Sequence, residues 1–289
     1  MKFLLHEGPT MTAAAVPAGI VPPRTAWPSL LWIVPLTLLW TLLIYWQPII
    51  SASGVPTTTV RLLTYGLIGV GLWLGLESTD LTLDQRRTTW LAVMIPYTLW
   101  FAVAWSAAIN GVFRTAASPP PVPLLPLAIF LPVIIGAPLL LLSKRVGQVL
   151  DAMPVTWLVA LQLYRVFGSV FLVGWLRGVL AGAGAVAGIG DMLTGLFAVP
   201  AAIAVATGTA QGRRAAIGWN IFGLADFAVA ITLGLITTPG RFQLIVPNVP
   251  SIGAGTYPDV LTPAFVVPSS IVLHLLSLRQ LRRQSRTAA

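Results

Sequence analysis

The sequence contains no cysteine, only two histidines, and charged side chains at just 9% of its 289 positions, against about a quarter in an ordinary soluble domain. Without cysteine there is no disulfide, no thiolate metal site and no thiol nucleophile. His6 and His274 cannot make a conventional zinc site, and neither HExxH nor GxSxG occurs. No metal and no cofactor is expected. So few charges also could not solvate the surface of a soluble fold this size.

What is present is apolar: 56% of residues are hydrophobic. They fall in blocks of about 20, the length that crosses a hydrocarbon core about 30 Å thick. The sequence therefore predicts an all-α, polytopic transmembrane helix bundle. Expected spans are 29–50, 58–76, 89–109, 123–143, 155–175, 187–208, 215–237 and 260–278, about eight in all. Residues 1–28, rich in Ala and Pro, read as a flexible cytoplasmic tail, since the apolar run in MKFLLH is too short for a signal-peptide core. The transmembrane domain, 29–278, divides into an apolar half (29–143) and a half with a polar cluster (155–278). Residues 279–289 form a basic cytoplasmic tail.

The net charge of +9 invites a nucleic-acid reading, but no soluble domain is there to present a basic patch. The charges lie between spans and act as topology signals. With the N-terminus inside, Lys2, Arg24, Arg86, Arg87, Lys144, Arg145, Arg213, Arg214, Arg279, Arg282, Arg283 and Arg286 are cytoplasmic, while Arg61, Arg114, Arg177 and Arg241 face outward. Both termini are then cytoplasmic. The partners this implies are the lipid bilayer and anionic lipids at the cytoplasmic face, with a small-molecule or lipid ligand inside the bundle. The expected location is a cell membrane, the inner membrane in a bacterium.

Prolines at 35, 48, 96, 126, 132, 138, 200, 263 and 268 fall inside expected spans, so several helices should kink, with Pro126, Pro132 and Pro138 bending span four. Gly182, Gly184 and Gly188 do not form a nucleotide loop, because GxGxxG after a strand is missing. Small residues at one-turn spacing let membrane helices approach closely.

The later spans carry Arg165, Asp191, Asp226 and His274, with Gln162 and Asn220 as neutral partners. An ionised group at the bilayer centre costs at least about 2.5–3.5 kcal/mol, so such residues face inward with a partner. Arg165 and Asp226 lie at similar depth and are expected to pair. Gln162, Arg165 and Ser169, at i, i+3 and i+7, share one helical face. Asp191 is placed near the outer end of span six, where Gly188 and Gly190 would open the helix and free a backbone amide for a solute. His274 lies nearer the cytoplasmic side.

The patterns QxxRxxG (Gln162, Arg165, Gly168), GxGD (Gly188, Gly190, Asp191), WNxxGxxD (Trp219, Asn220, Gly223, Asp226) and PxxxxPxxxxxH (Pro263, Pro268, His274) resemble a family of uncharacterised bacterial multi-pass membrane proteins, over about residues 155–285. Asp191, Asp226 and Pro263-Ala264-Phe265 also resemble parts of the intramembrane aspartyl proteases, though here GxGD comes first and PAF stands for PAL. Lysoplasmalogenase-like membrane hydrolases are similar in placing two aspartates on separate helices. The leading expectation is a permease or solute-binding membrane protein in which Arg165 anchors an anionic group or counter-charges Asp226, while Asp191 and His274 relay protons. A hydrolase acting on lipid or peptide through Asp191 and Asp226 is the second reading, and a non-catalytic membrane scaffold the third.

Overall fold

The computed structural model describes residues 55–114, 124–178, 180–249 and 255–287. The expected tail 1–28 and span 29–50 lie outside them. Among the described residues the regular elements are all helical. In chain order they are α1 (Val55–Glu77), α2 (Leu83–Ile109), α3 (Leu124–Leu142), α4 (Lys144–Ala152), α5 (Thr156–Leu161), a 3-10 stretch (Gln162–Gly168), α6 (Ser169–Leu176), α7 (Gly182–Ala206), α8 (Ala210–Thr237), a π turn (Thr262–Val266) and α9 (Val267–Thr287).

Six helical stretches among these residues are long and apolar enough to cross a membrane: Leu83–Ile109, Leu124–Leu142, Thr156–Leu176, Gly182–Ala206, Ala210–Thr237 and Thr262–Arg283. They cover the expected spans that begin at 89, 123, 155, 187, 215 and 260. Helix α1 covers the one at 58. The distribution of side chains is the reverse of a soluble domain's. Leu142, Ile134 and Leu139 are 82%, 67% and 67% exposed, while Gln162, Asn220 and His274 are fully buried. An apolar outside around a polar inside is what a hydrocarbon solvent selects.

Local sequence sets the joints. Thr82 and Gln85 close a capping box at the start of α2. Ser143 caps α4, and Thr209 caps α8 after Gly208, whose φ of 69° suits the tight α7–α8 turn. Tyr65, Tyr97, Phe101 and Phe265 stack in succession, fastening α1 and α2 to the π turn. Helix α7 is central and packs on α5, the 3-10 stretch, α6 and α8.

Four expectations change. Helix α7 starts at Gly182, five residues before 187, and runs unbroken through Gly188 and Gly190. These glycines do not open the helix, because their missing side chains admit neighbouring segments that hold it closed: a Cβ on Gly188 would press on the Gly168 carbonyl and the Leu172 amide. The irregular backbone falls instead in span five, as the 3-10 stretch. Helix α9 does not stop at 278. Gln280 donates to the Leu150 and Met153 carbonyls at 2.6 and 2.8 Å, Leu281 is buried, and Arg283 meets Asp151 at 2.8 Å, so the basic segment continues as packed helix. Finally, α4 is a short amphipathic helix that the sequence left as a connection, with Val146, Val149 and Leu150 packed against Leu76, Leu273 and Leu276.

The helix ends fall on two faces. Ser143, Leu150, Val155, Val205, Ala216 and Leu281 gather on one, together with the basic pairs at 86–87, 144–145 and 213–214. Arg114, Leu180, Ala181, Arg241 and Asp259 gather on the other.

Backbones of α7 and the 3-10 stretch approach so closely that a Cβ on Gly195 would collide with the backbone nitrogen of Val166, whereas one on Gly218 would meet nothing within 4 Å. Gly195→Ala is expected to lose about 1–3 kcal/mol in detergent unfolding through overpacking. Gly218→Ala should lose nothing and gain up to about 1 kcal/mol from helix propensity. Equal stability of the two variants would show that α7 does not pack on the 3-10 stretch in this way.

Candidate functional site

The site is built around Arg165. In a 3-10 helix, residues three apart eclipse one another, so Gln162, Arg165 and Gly168 stand in one row. The stretch is tied to α9 because the Gln162 amide donates to the Ser270 carbonyl at 3.1 Å and the Tyr164 hydroxyl meets the Ser270 hydroxyl. This fixes the root of the arginine side chain, which is 2% exposed.

A guanidinium has five N–H donors and no acceptor. Here each of its three nitrogens finds a partner. Nε donates to Asp191 Oδ1 at 2.7 Å, and Nη2 lies 2.7 Å from the same oxygen in an ion pair and donates to Asp226 Oδ2 at 2.5 Å. Nη1 donates to the Gly223 carbonyl at 3.3 Å and to His274 Nε2 at 3.0 Å. The Phe227 ring lies 3.8 Å from the guanidinium carbon, adding a cation–π contact.

The direction of these bonds sets the next ones. Because Arg165 can only donate, His274 Nε2 accepts, so the ring is neutral and carries its proton on Nδ1. That N–H donates to Asn220 Oδ1 at 2.9 Å, and Asn220 Nδ2 donates to the Ala216 carbonyl at 2.8 Å and to the Ser277 hydroxyl at 3.1 Å. Trp219 packs on the imidazole with ring centres 5.0 Å apart, and its own N–H donates to the Thr194 carbonyl at 2.9 Å.

The glycines of the sequence patterns make room for this cluster. A Cβ on Gly168 would overlap the Asp191 side chain, one on Gly190 the Asp226 carboxylate, and one on Gly223 both the His274 ring and Arg165. Each lies within a few residues of a polar residue in its own pattern, but clears space for a polar side chain from a different helix.

Beside the cluster is a cavity of about 350 Å³. Its walls are mostly apolar, from Val170, Phe171, Ala187, Ala230 and Ile231. Arg114, Arg241 and Asp259 stand at the face with few basic residues, and Asp191 and Phe227 lie deeper. The side chain of Asp191 is 17% exposed, that of Asp226 6%.

Residues 122–282 match the model of a family described as a domain of unknown function, DUF8737. The chain belongs to that family. No curated protein and no solved structure matches it. In this DUF8737 chain the matched segment contains the whole cluster and most of the cavity wall.

The structure brings Arg165, Asp191, Asn220, Asp226 and His274 into one network. The expected pair of Arg165 and Asp226 is present. Asp191 does not sit apart at the outer end, because the earlier start of α7 carries it down to the guanidinium. Gln162 does not join the charges; it is buried alongside and holds the α9 backbone. Sequence reasoning missed Ser277, Tyr164, Ser270 and Phe227. Of these, Phe227 had a signal, since it directly follows Asp226.

Two stability measurements follow. Arg165→Leu leaves two carboxylates facing one another and should cost about 3–5 kcal/mol in detergent unfolding, with part of the loss recovered when Asp226→Leu is added. Additive losses would mean the pair carries no coupling. Asn220→Ala, which removes the acceptor for His274 Nδ1, should cost about 1–3 kcal/mol; no loss would show that the imidazole proton is not on that nitrogen.

Proposed function

We propose that the chain is a membrane solute-binding protein or permease whose ligand enters the cavity from the face with few basic residues and stops at the charged cluster. One observation carries this reading: the cavity reaches from that face to the Asp191 carboxylate, which belongs to the buried network. A charge kept inside a bundle at high desolvation cost and left facing a cavity is the usual form of an intramembrane binding site. Transport further requires helices that can shift. The 3-10 stretch that carries Arg165 interrupts one span, as the broken helices of transporters do, and the π turn begins another. Beyond the cluster Asn220, His274 and Ser277 are fully buried, so the way to the opposite face is closed here.

The positive-inside rule makes the face rich in Arg and Lys cytoplasmic, and the cavity then opens outward. With the segment 29–50 as a further span, the count is eight and both termini are cytoplasmic. The hydrolase reading has less support. Two aspartates activate water by sharing a proton, and here both carboxylates instead hold one guanidinium.

Because the chain has no cysteine, single substitutions report alone. Ala187→Cys and Ala230→Cys should react with a membrane-impermeant maleimide from the same side of sealed vesicles as Arg241→Cys. Ala198→Cys, fully buried on the same helix as Ala187, should stay unlabelled. If Ala187→Cys and Ala230→Cys stay unlabelled from both sides, no entry route exists and the proposal fails.

A further inference from the structure

The cluster does not balance its charge. Arg165 supplies one positive charge, Asp191 and Asp226 two negative ones, and His274 none, since its Nε2 accepts from the guanidinium. A surplus carboxylate in a low-dielectric interior is costly and takes up a compensating positive charge. Every nitrogen of Arg165 is engaged with a partner inside the cluster, so an anionic solute would have to displace one of them. The surplus lies on the aspartates.

Geometry assigns the surplus to Asp191. Asp226 is the more enclosed and does not line the cavity, whereas Asp191 does. Both guanidinium contacts with Asp191 fall on Oδ1. Phe171 lines the same space, and carboxylate plus aromatic wall is a recognition surface for an organic cation. The groups facing Asp191 are Arg165 and Tyr164 from the 3-10 stretch, Asp226 from α8 and, across the guanidinium, His274 from α9; α5 and α6 carry no titratable residue. Arg114, Arg241 and Asp259 stand at the mouth. The α8 backbone from Phe227 to Thr237, which leads from the cluster to that mouth, is about 15 Å long.

We infer that the cavity takes a small apolar monocation of the organic ammonium class, which docks on Asp191 in exchange for a proton. This rests on the cavity being a ligand site. The exchange balances: the protonated carboxyl gives its proton to water, and the carboxylate then pairs with the cation, with no change in the charge of the site. Such a competition lets a proton gradient drive the cation in the opposite direction.

The test uses purified full-length protein in detergent and three ligands of similar size: benzyltrimethylammonium, its neutral carbon analogue neopentylbenzene, and benzenesulfonate. Calorimetry in buffers of different ionisation enthalpy counts the protons released. The expected result is binding of the cation by the parent protein with up to one proton released, and affinity rising with pH by up to tenfold per unit while the carboxyl is protonated. Asp191→Asn, which retains an oxygen for Arg165, should weaken the cation at least tenfold and leave the neutral analogue unchanged. Equal binding of cation and neutral analogue without proton release overturns the charge inference and leaves the cavity reading standing. Preferred binding of benzenesulfonate overturns it as well. If none of the three binds and Ala187→Cys is also unreactive, the cavity reading falls together with the inference.

Discussion

A guanidinium in the middle of an apolar bundle must have an acceptor for every N–H, because neither water nor lipid will supply one. Much of the central packing follows from that demand on Arg165. Its four hydrogen-bond partners, Asp191, Gly223, Asp226 and His274, come from α7, α8 and α9, so those helices must meet at one point. They can meet there only because Gly168, Gly190 and Gly223 leave their positions empty. The 3-10 stretch that carries Arg165 is held in register by Gln162 and Tyr164 on Ser270. Helix packing without a strong hydrophobic drive between helices depends on such close contacts and polar bonds.

The arrangement also separates two tasks. The inner side of the cluster, running from His274 through Asn220 to Ser277, is closed and fully satisfied. The outer side ends in Asp191 and opens into the cavity. A network saturated on one side and incomplete on the other is suited to sensing what enters the cavity, because any change in the charge on Asp191 is felt directly by the guanidinium. From there it reaches α8 through Asp226 and α9 through His274. The 3-10 stretch lies at the junction, where a change in helical winding costs least.

The spans were legible in the sequence because a membrane span is a matter of length and composition, as Leu124–Leu142 and Ala210–Thr237 illustrate. Depth along the spans was also enough to pair Arg165 with Asp226. The remaining partners were not legible. Placing Asp191 depended on where α7 begins, and the glycine-rich lead of that helix reads as a loop until its packing partners are known. Gln162 had the composition of a cluster member but points to a backbone carbonyl. The bond from His274 to Asn220 joins residues 54 apart in sequence on separate helices, and nothing local encodes it. Helical periodicity even misled at span five, where the row of Gln162, Arg165 and Gly168 follows a three-residue repeat.

The central claim is that one arginine, engaged at every nitrogen, organises the site. The ring of His274 reports on this most directly, since its protonation is dictated by the bond from Arg165. Nitrogen-15 NMR of histidine-labelled protein in lipid at neutral pH, with His6→Gln to leave a single ring, reads that state. The account predicts a neutral imidazole with Nδ1 protonated and Nε2 bare, shifting toward the other tautomer or to the imidazolium in Arg165→Leu. An imidazolium in the parent protein, or a proton on Nε2, would contradict it.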